Sequence, residues 1–187
     1  MAKYTVFEST NMRSTYYGER IMDAVADVDI ENGTFGYLEG LAEGESNVYK
    51  FKAGTKDGET VVVVDNPAWS ENNTMIDNQR RDKYIVEAGT RFRVRNVRKT
   101  DEFGISAEGI TPDTRATVED TTDFVENNVY LTIDTTGKLK ASTNTTEGAV
   151  MEARIERKRT VGNTVVTSSN KYGNSTTIYE AIVKTLA

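Results

Sequence analysis

Glu59-Thr60-Val61-Val62-Val63-Val64-Asp65-Asn66-Pro67 is the stretch on which the fold turns. A strand with one wet face alternates apolar and polar residues, whereas a strand covered on both faces reads as an unbroken apolar run. Val61–Val64 therefore predicts a short central strand. Asp65-Asn66-Pro67 ends it, because proline has no N–H to give to a ladder.

Working outward, Gly54-Thr55-Lys56-Asp57-Gly58 is rich in turn residues and separates the valine run from Val48–Lys52. That spacing predicts a β-hairpin between 48–52 and 59–65. Further upstream, Ala26 to Ile30 alternates with period two and predicts a strand. Glu31-Asn32-Gly33 then turns into a strand over Thr34–Leu38. Downstream, Arg91-Phe92-Arg93-Val94-Arg95 alternates, and Asp101–Gly104 turns the chain into Phe103–Ile110. Residues 70–83 read as a loop or one short helix. Thr111–Asn128 is a polar stretch and the candidate boundary between domains.

Beyond it, Val129–Asp134 and Lys138–Ala141 flank the turn Thr135-Thr136-Gly137 as a second hairpin. The alternation of Met151, Ala153 and Ile155 with Glu152, Arg154 and Glu156 favours a strand over a helix. Gly162-Asn163 predicts a tight turn into Thr164–Thr167, and Thr176–Leu186 favours a closing strand. The expected fold is mainly β: one or two small antiparallel sheet or barrel units, an extended N-terminal arm and little helix. The expected division is arm 1–20, a β-rich domain 21–112 and a smaller C-terminal β domain 113–187.

Composition limits function more than it defines it. The 187 residues are 37% hydrophobic and 28% charged, with nine Tyr and six Phe, which suits thin β layers with large surfaces rather than disorder. No His is present, which removes the usual general base near neutral pH and the usual zinc ligand. No Cys is present either, so disulfides and thiolate sites are excluded. The formal net charge of -6 opposes generic binding to nucleic acid, which calls for a basic footprint. The opening residues carry no apolar signal core, and no run approaches the ~20 apolar residues of a membrane helix. The expectation is a protein folded in the cytoplasm, with no cofactor, no metal, no nucleic-acid partner and no membrane partner.

Carboxylate chemistry remains formally open. The pairs Asp101 with Glu102 and Glu119 with Asp120 read as solvated turn acids, not as a hydrolytic dyad. Asp134-Thr135-Thr136-Gly137-Lys138 has too few oxygen ligands for a calcium loop and reads as a turn. The glycines near Gly33-Thr34-Phe35-Gly36 lack phosphate-loop spacing.

Binding features stand out instead. Arg91, Arg93, Arg95 and Arg98 form a basic stripe. It reads as a solvated strand face or as a contact for an acidic partner, since guanidinium forks match carboxylates. Trp69 reads as a core anchor or, on a loop, as an interface contact. The Tyr16-Tyr17 and Arg80-Arg81 pairs lie in irregular segments and join the list of partner-binding candidates.

A resemblance sharpens this. IENGTFGYLEGL (residues 30–41), VVVVDNPAW (61–69), NQRRDKYI (78–85) and AGTRFRVR (88–95), with YLTIDTTGKL (130–139) and AVMEARIERKR (149–159), resemble small proteins encoded beside the major capsid gene of tailed phages. The resemblance implies a capsid decoration or head-associated protein rather than an enzyme. Its partner would be the major capsid protein, its state a homo-oligomer and its place the virion. The alternative is a tail or fibre module that stacks aromatic side chains on host glycan.

Overall fold

The computed structural model describes residues 3–16, 21–67, 81–124, 126–161 and 176–187. The elements are β1 (Phe7–Asn11), α1 (Arg13–Tyr16), β2 (Ile21–Val25), β3 (Phe35–Leu41), β4 (Val48–Ala53), β5 (Val62–Val64) and β6 (Phe92–Asn96). They continue with β7 (Glu102–Ser106), α2 (Pro112–Glu119), β8 (Tyr130–Ile133), β9 (Leu139–Ser142), β10 (Met151–Val161) and β11 (Thr176–Leu186). The fold is mainly β, as expected. Strands β2-β4-β3-β5-β6 close a barrel, and β1-β7-β11-β10-β8-β9 form a six-stranded sheet.

The valine run explains how the two are joined. All four valines are buried, and they divide by parity. Val62 and Val64 point into the barrel with Met22, Ala24, Phe51, Phe92 and Val94. Val61 and Val63 point outward into a second core, shared with the sheet residues Phe103, Ile105, Ala153, Ile155 and Ala181. Each buried valine is worth about 1.5–3 kcal/mol in transfer terms, so β5 contributes to two cores at once.

At the centre of the seam three rings meet: Phe7 from β1, Phe35 from β3 and Phe103 from β7, with centroids 5.5–6.2 Å apart. The β8–β9 turn docks on the barrel beside them. Phe35 N–H donates to the Gly137 carbonyl at 2.8 Å, and the Lys138 ammonium reaches Glu31 at 3.3 Å. Gly137 has φ 80°, and an added Cβ would lie 2.3 Å from the Phe35 carbonyl oxygen. Glycine is needed there for both conformation and room.

Several expectations change. The hairpin between 48–52 and 59–65 does not form. β4 pairs with β3 and, in parallel, with β2, while β5 pairs with β3 and β6. Closing the barrel places β3 between the two strands that the glycine-rich loop seemed to join. Ala26–Ile30 is not a ladder strand either: β2 ends at Val25 and only Ile30 bridges, to Val86. Its alternation fails at Val28, which is 62% exposed.

The chain passes from barrel to sheet between β6 and β7, and the sheet takes strands from both sides of residue 113. The polar stretch 111–128 holds α2, with Pro112 at its first turn. β8 and β9 form the expected hairpin, and 151–161 and 176–186 pair as strands. The Gly162-Asn163 turn lies outside the described residues.

Both edges of the sheet are covered. At β9, Thr111 donates to the Leu139 carbonyl and Thr114 accepts from Ala141 N–H at 3.0 Å. At β1, the extended N-terminal segment is docked on β7. Arg81 caps its Phe7 carbonyl, and Met12 N–H with the Thr15 hydroxyl caps Ser9. Such capping leaves little edge for a stray strand to join.

Candidate functional site

The outer face of the six-stranded sheet carries a row set by strand register. Glu8 on β1 lies opposite Gly104 on β7, Gly104 opposite Glu180 on β11, and Glu180 opposite Arg157 on β10. Gly104 lines a cavity of about 150 Å3 between the acids, bounded also by Asn11, Glu102 and Arg159. A Cβ on Gly104 would meet Ile178 at 2.7 Å. Arg159 spans this gap and pairs with both Glu8 and Glu180. Arg157 pairs with Glu180 and, at 3.7 Å, with Glu102. Arg81 reaches Glu8 from the barrel side at 3.2 Å.

The electrostatics of this clasp point away from proton transfer. Burial alone would raise the Glu180 carboxyl, but hydrogen bonds from Arg157 and Arg159 outweigh it and hold the pKa below the usual value. The same two bonds raise both guanidinium pKa values. Glu156 is likewise lowered, with burial outweighed by bonds from Lys184 and Arg154. A carboxyl acting as general acid needs the opposite shift. These groups are built to stay charged and paired, and they tie the first strand to the last hairpin.

The sequence candidates fall in several places. Tyr16 ends α1 and is 64% exposed. Arg81 belongs to the clasp. Tyr17, Trp69 and Arg80 lie outside the described residues. Arg91, Arg93 and Arg95 are on the outer wall of the barrel, at or just before β6. Arg95 is half-buried and bonded to Asp65, which also accepts from the Ser9 hydroxyl at 2.6 Å. Arg91 pairs with Glu45. Arg93 is exposed and in register with Asp23 on β2. The stripe is thus partly an internal fastening and partly an exposed surface.

Among the turn acids, Asp101 was expected in solvent but is fully buried. Its carboxylate accepts N–H bonds from Arg13 at 3.0 Å and Arg98 at 2.8 Å. It organises the chain at the crossing from barrel to sheet. Asp134 accepts from Thr136 N–H at 2.7 Å and Lys138 N–H at 3.0 Å, a capped turn as expected. No group of His, Cys, Asp or Glu with metal-holding geometry occurs among the described residues.

Sequence reading did not single out Glu8, Arg157, Arg159 or Glu180. The available signal was the run Glu156-Arg157-Lys158-Arg159 on a strand that ends beside Glu180, but the pairing that unites them spans the whole chain.

Fold and site together define a mainly β protein, a closed five-stranded barrel built onto a six-stranded sheet and fastened by paired charges. No family model, no curated protein and no solved structure matches this chain.

Proposed function

We propose that this chain is a structural protein of a tailed-phage virion, docking on the capsid lattice and stabilising it. The observation that carries the reading is the clasp. Its acids and bases are spent on holding the N-terminal strand to the final hairpin, the investment of a protein whose task is to keep its shape. The six sequence stretches that resemble capsid-associated proteins support the same reading. The absence of His and Cys from the chain leaves binding as the simpler role. Contacts repeated over a lattice gain strength through multivalency even when each is weak, and a homo-oligomer would add to that gain.

The test is to add the purified protein to capsids lacking it. Binding, with raised resistance to heat or chaotrope, is the expected result. A protein that neither binds nor protects would overturn the proposal.

A further inference from the structure

Among the described residues, one end of the barrel is open. Where β2, β4 and β5 begin and β3 and β6 finish, a cavity of about 270 Å3 opens between Met22, Leu38 and Val62 below and Glu59, Thr60 and Asn96 at the rim. Its floor is the barrel core itself: Met22 and Val62 are core members, and Leu38 packs against them. A closed apolar cavity of about 150 Å3 suffices for a benzene ring, so this opening has room for one large apolar side chain.

Two further observations mark the same end. Ile21, the first residue of β2, is 43% exposed, and Leu41, the last of β3, is 48% exposed. They add exposed apolar surface at the end of the barrel where the hollow, lined by apolar and polar residues alike, opens. Charge then selects the visitor. Glu59, which lines the cavity, is matched among the described residues by Lys56 at 3.6 Å across solvent-exposed atoms. Glu39 and Glu43, on β3 and the turn after it, are exposed acids beside the opening.

We infer that the open end of the barrel is a docking socket for a protein partner, taking one large apolar side chain that is flanked by Lys or Arg. The inference deepens the capsid-docking reading by naming a contact surface, and to that extent rests on it. The buried side chain acts as the central anchor and the acids as the polar rim, the usual anatomy of an interface hot spot.

Phenethylammonium, an aromatic ring tethered to a cation, and 3-phenylpropionate, its anionic counterpart, are the probes. They are titrated against methyl-labelled full-length protein and followed by NMR. The expected result is saturable shifts at Met22, Leu38 and Val62, with the cation bound about five-fold more tightly, roughly the worth of one surface ion pair. Glu59→Lys should reverse that preference. Equal affinities, or shifts centred elsewhere, overturn the inference.

Capsid binding by Thr60→Trp, which fills the mouth from its exposed rim, is the second arm. Full binding by this variant, with wild-type binding intact, sinks the socket and leaves the docking reading standing. Wild-type protein that ignores capsids yet binds the cationic probe does the reverse. Loss of self-association alone in Thr60→Trp would make the occupant a second copy, which also overturns the inference.

Discussion

The barrel core and the seam core share a strand but are closed in different ways. The seam is sealed on every side. Phe35, Phe103, Ile105 and Met12 are essentially without exposure, and barrel, sheet and α2 all contribute walls. The barrel interior is a column around Phe51 and Phe92, whose rings meet edge-on at 5.6 Å, and among the described residues it opens at one end. The difference shows where cohesion resides and where contact is offered. The seam binds distant parts of the chain together, and the barrel presents to solvent its end and the part of its outer wall around Asp23 and Arg93.

The sharpest way to break this contrast is Phe35→Ala. Removing a buried ring costs about 3–5 kcal/mol. Because Phe35 touches rings from β1 and β7, the loss should lower the stability of both regions in a single transition. Chemical denaturation followed by circular dichroism, with hydrogen exchange at β8 and β9, would show it. Two separate transitions would mean that barrel and sheet fold independently and that the seam is only a contact.

Gly137→Ala probes the same junction from the turn side. Its Cβ would collide with the Phe35 carbonyl, at a backbone conformation that alanine rarely adopts. A loss of about 1–3 kcal/mol is expected. Hydrogen exchange should speed up first at Phe35 N–H, which Gly137 accepts.

Glu180→Gln tests the clasp, with an expected loss near neutral pH of about 1 kcal/mol, because both arginines are partly solvated. The sign of its pH dependence follows from the lowered carboxyl pKa. The wild-type contribution is fully present above the ordinary glutamate range, about 4.3. It disappears as pH falls through the depressed native value, when the carboxylate takes up a proton and the guanidinium bonds lose their partner. Melting temperature against pH should therefore fall less steeply on the acid side for the variant than for wild type. Parallel curves would show that the clasp contributes nothing.

How far sequence reading reached can be judged from particular residues. Val61–Val64 revealed its double burial because an apolar run records both faces of its own strand. What it could not record was the partner: the neighbour in sequence, β4, is not the neighbour in space, since barrel closure depends on register among strands far apart. Ala26–Ile30 misled because alternation marks a strand only where a core exists to receive it, and Val28 meets solvent. Thr111-Pro112 carried a readable helix start that the acidic, Thr-rich composition concealed. Asp101 resembled any turn acid, because the backbone N–H groups that bury it come from Arg13 and Arg98, one of them nearly ninety positions away. The clasp was hidden for the same reason. Of the binding candidates, the arginine stripe was visible, but not its division into fastened and exposed members.

That division supplies the smallest effect on stability and the most direct test of the barrel as the outward-facing region. Arg93 is exposed on β6 and faces Asp23 across the ladder, so Arg93→Glu places two acids opposite each other. The cost to folding should stay within about 0.5 kcal/mol, as for surface changes generally. Binding to capsids should weaken in low salt and be partly restored as salt screens the new repulsion, if the wall meets an acidic surface. Arg95→Glu should behave differently. Arg95 is half-buried against Asp65, so its loss should destabilise the fold and affect binding only through it. Denaturation midpoints measured beside capsid affinity separate the two. Should both variants lose stability alike and bind alike, the stripe is a single structural fastening and the outer wall of the barrel is not where the partner lies.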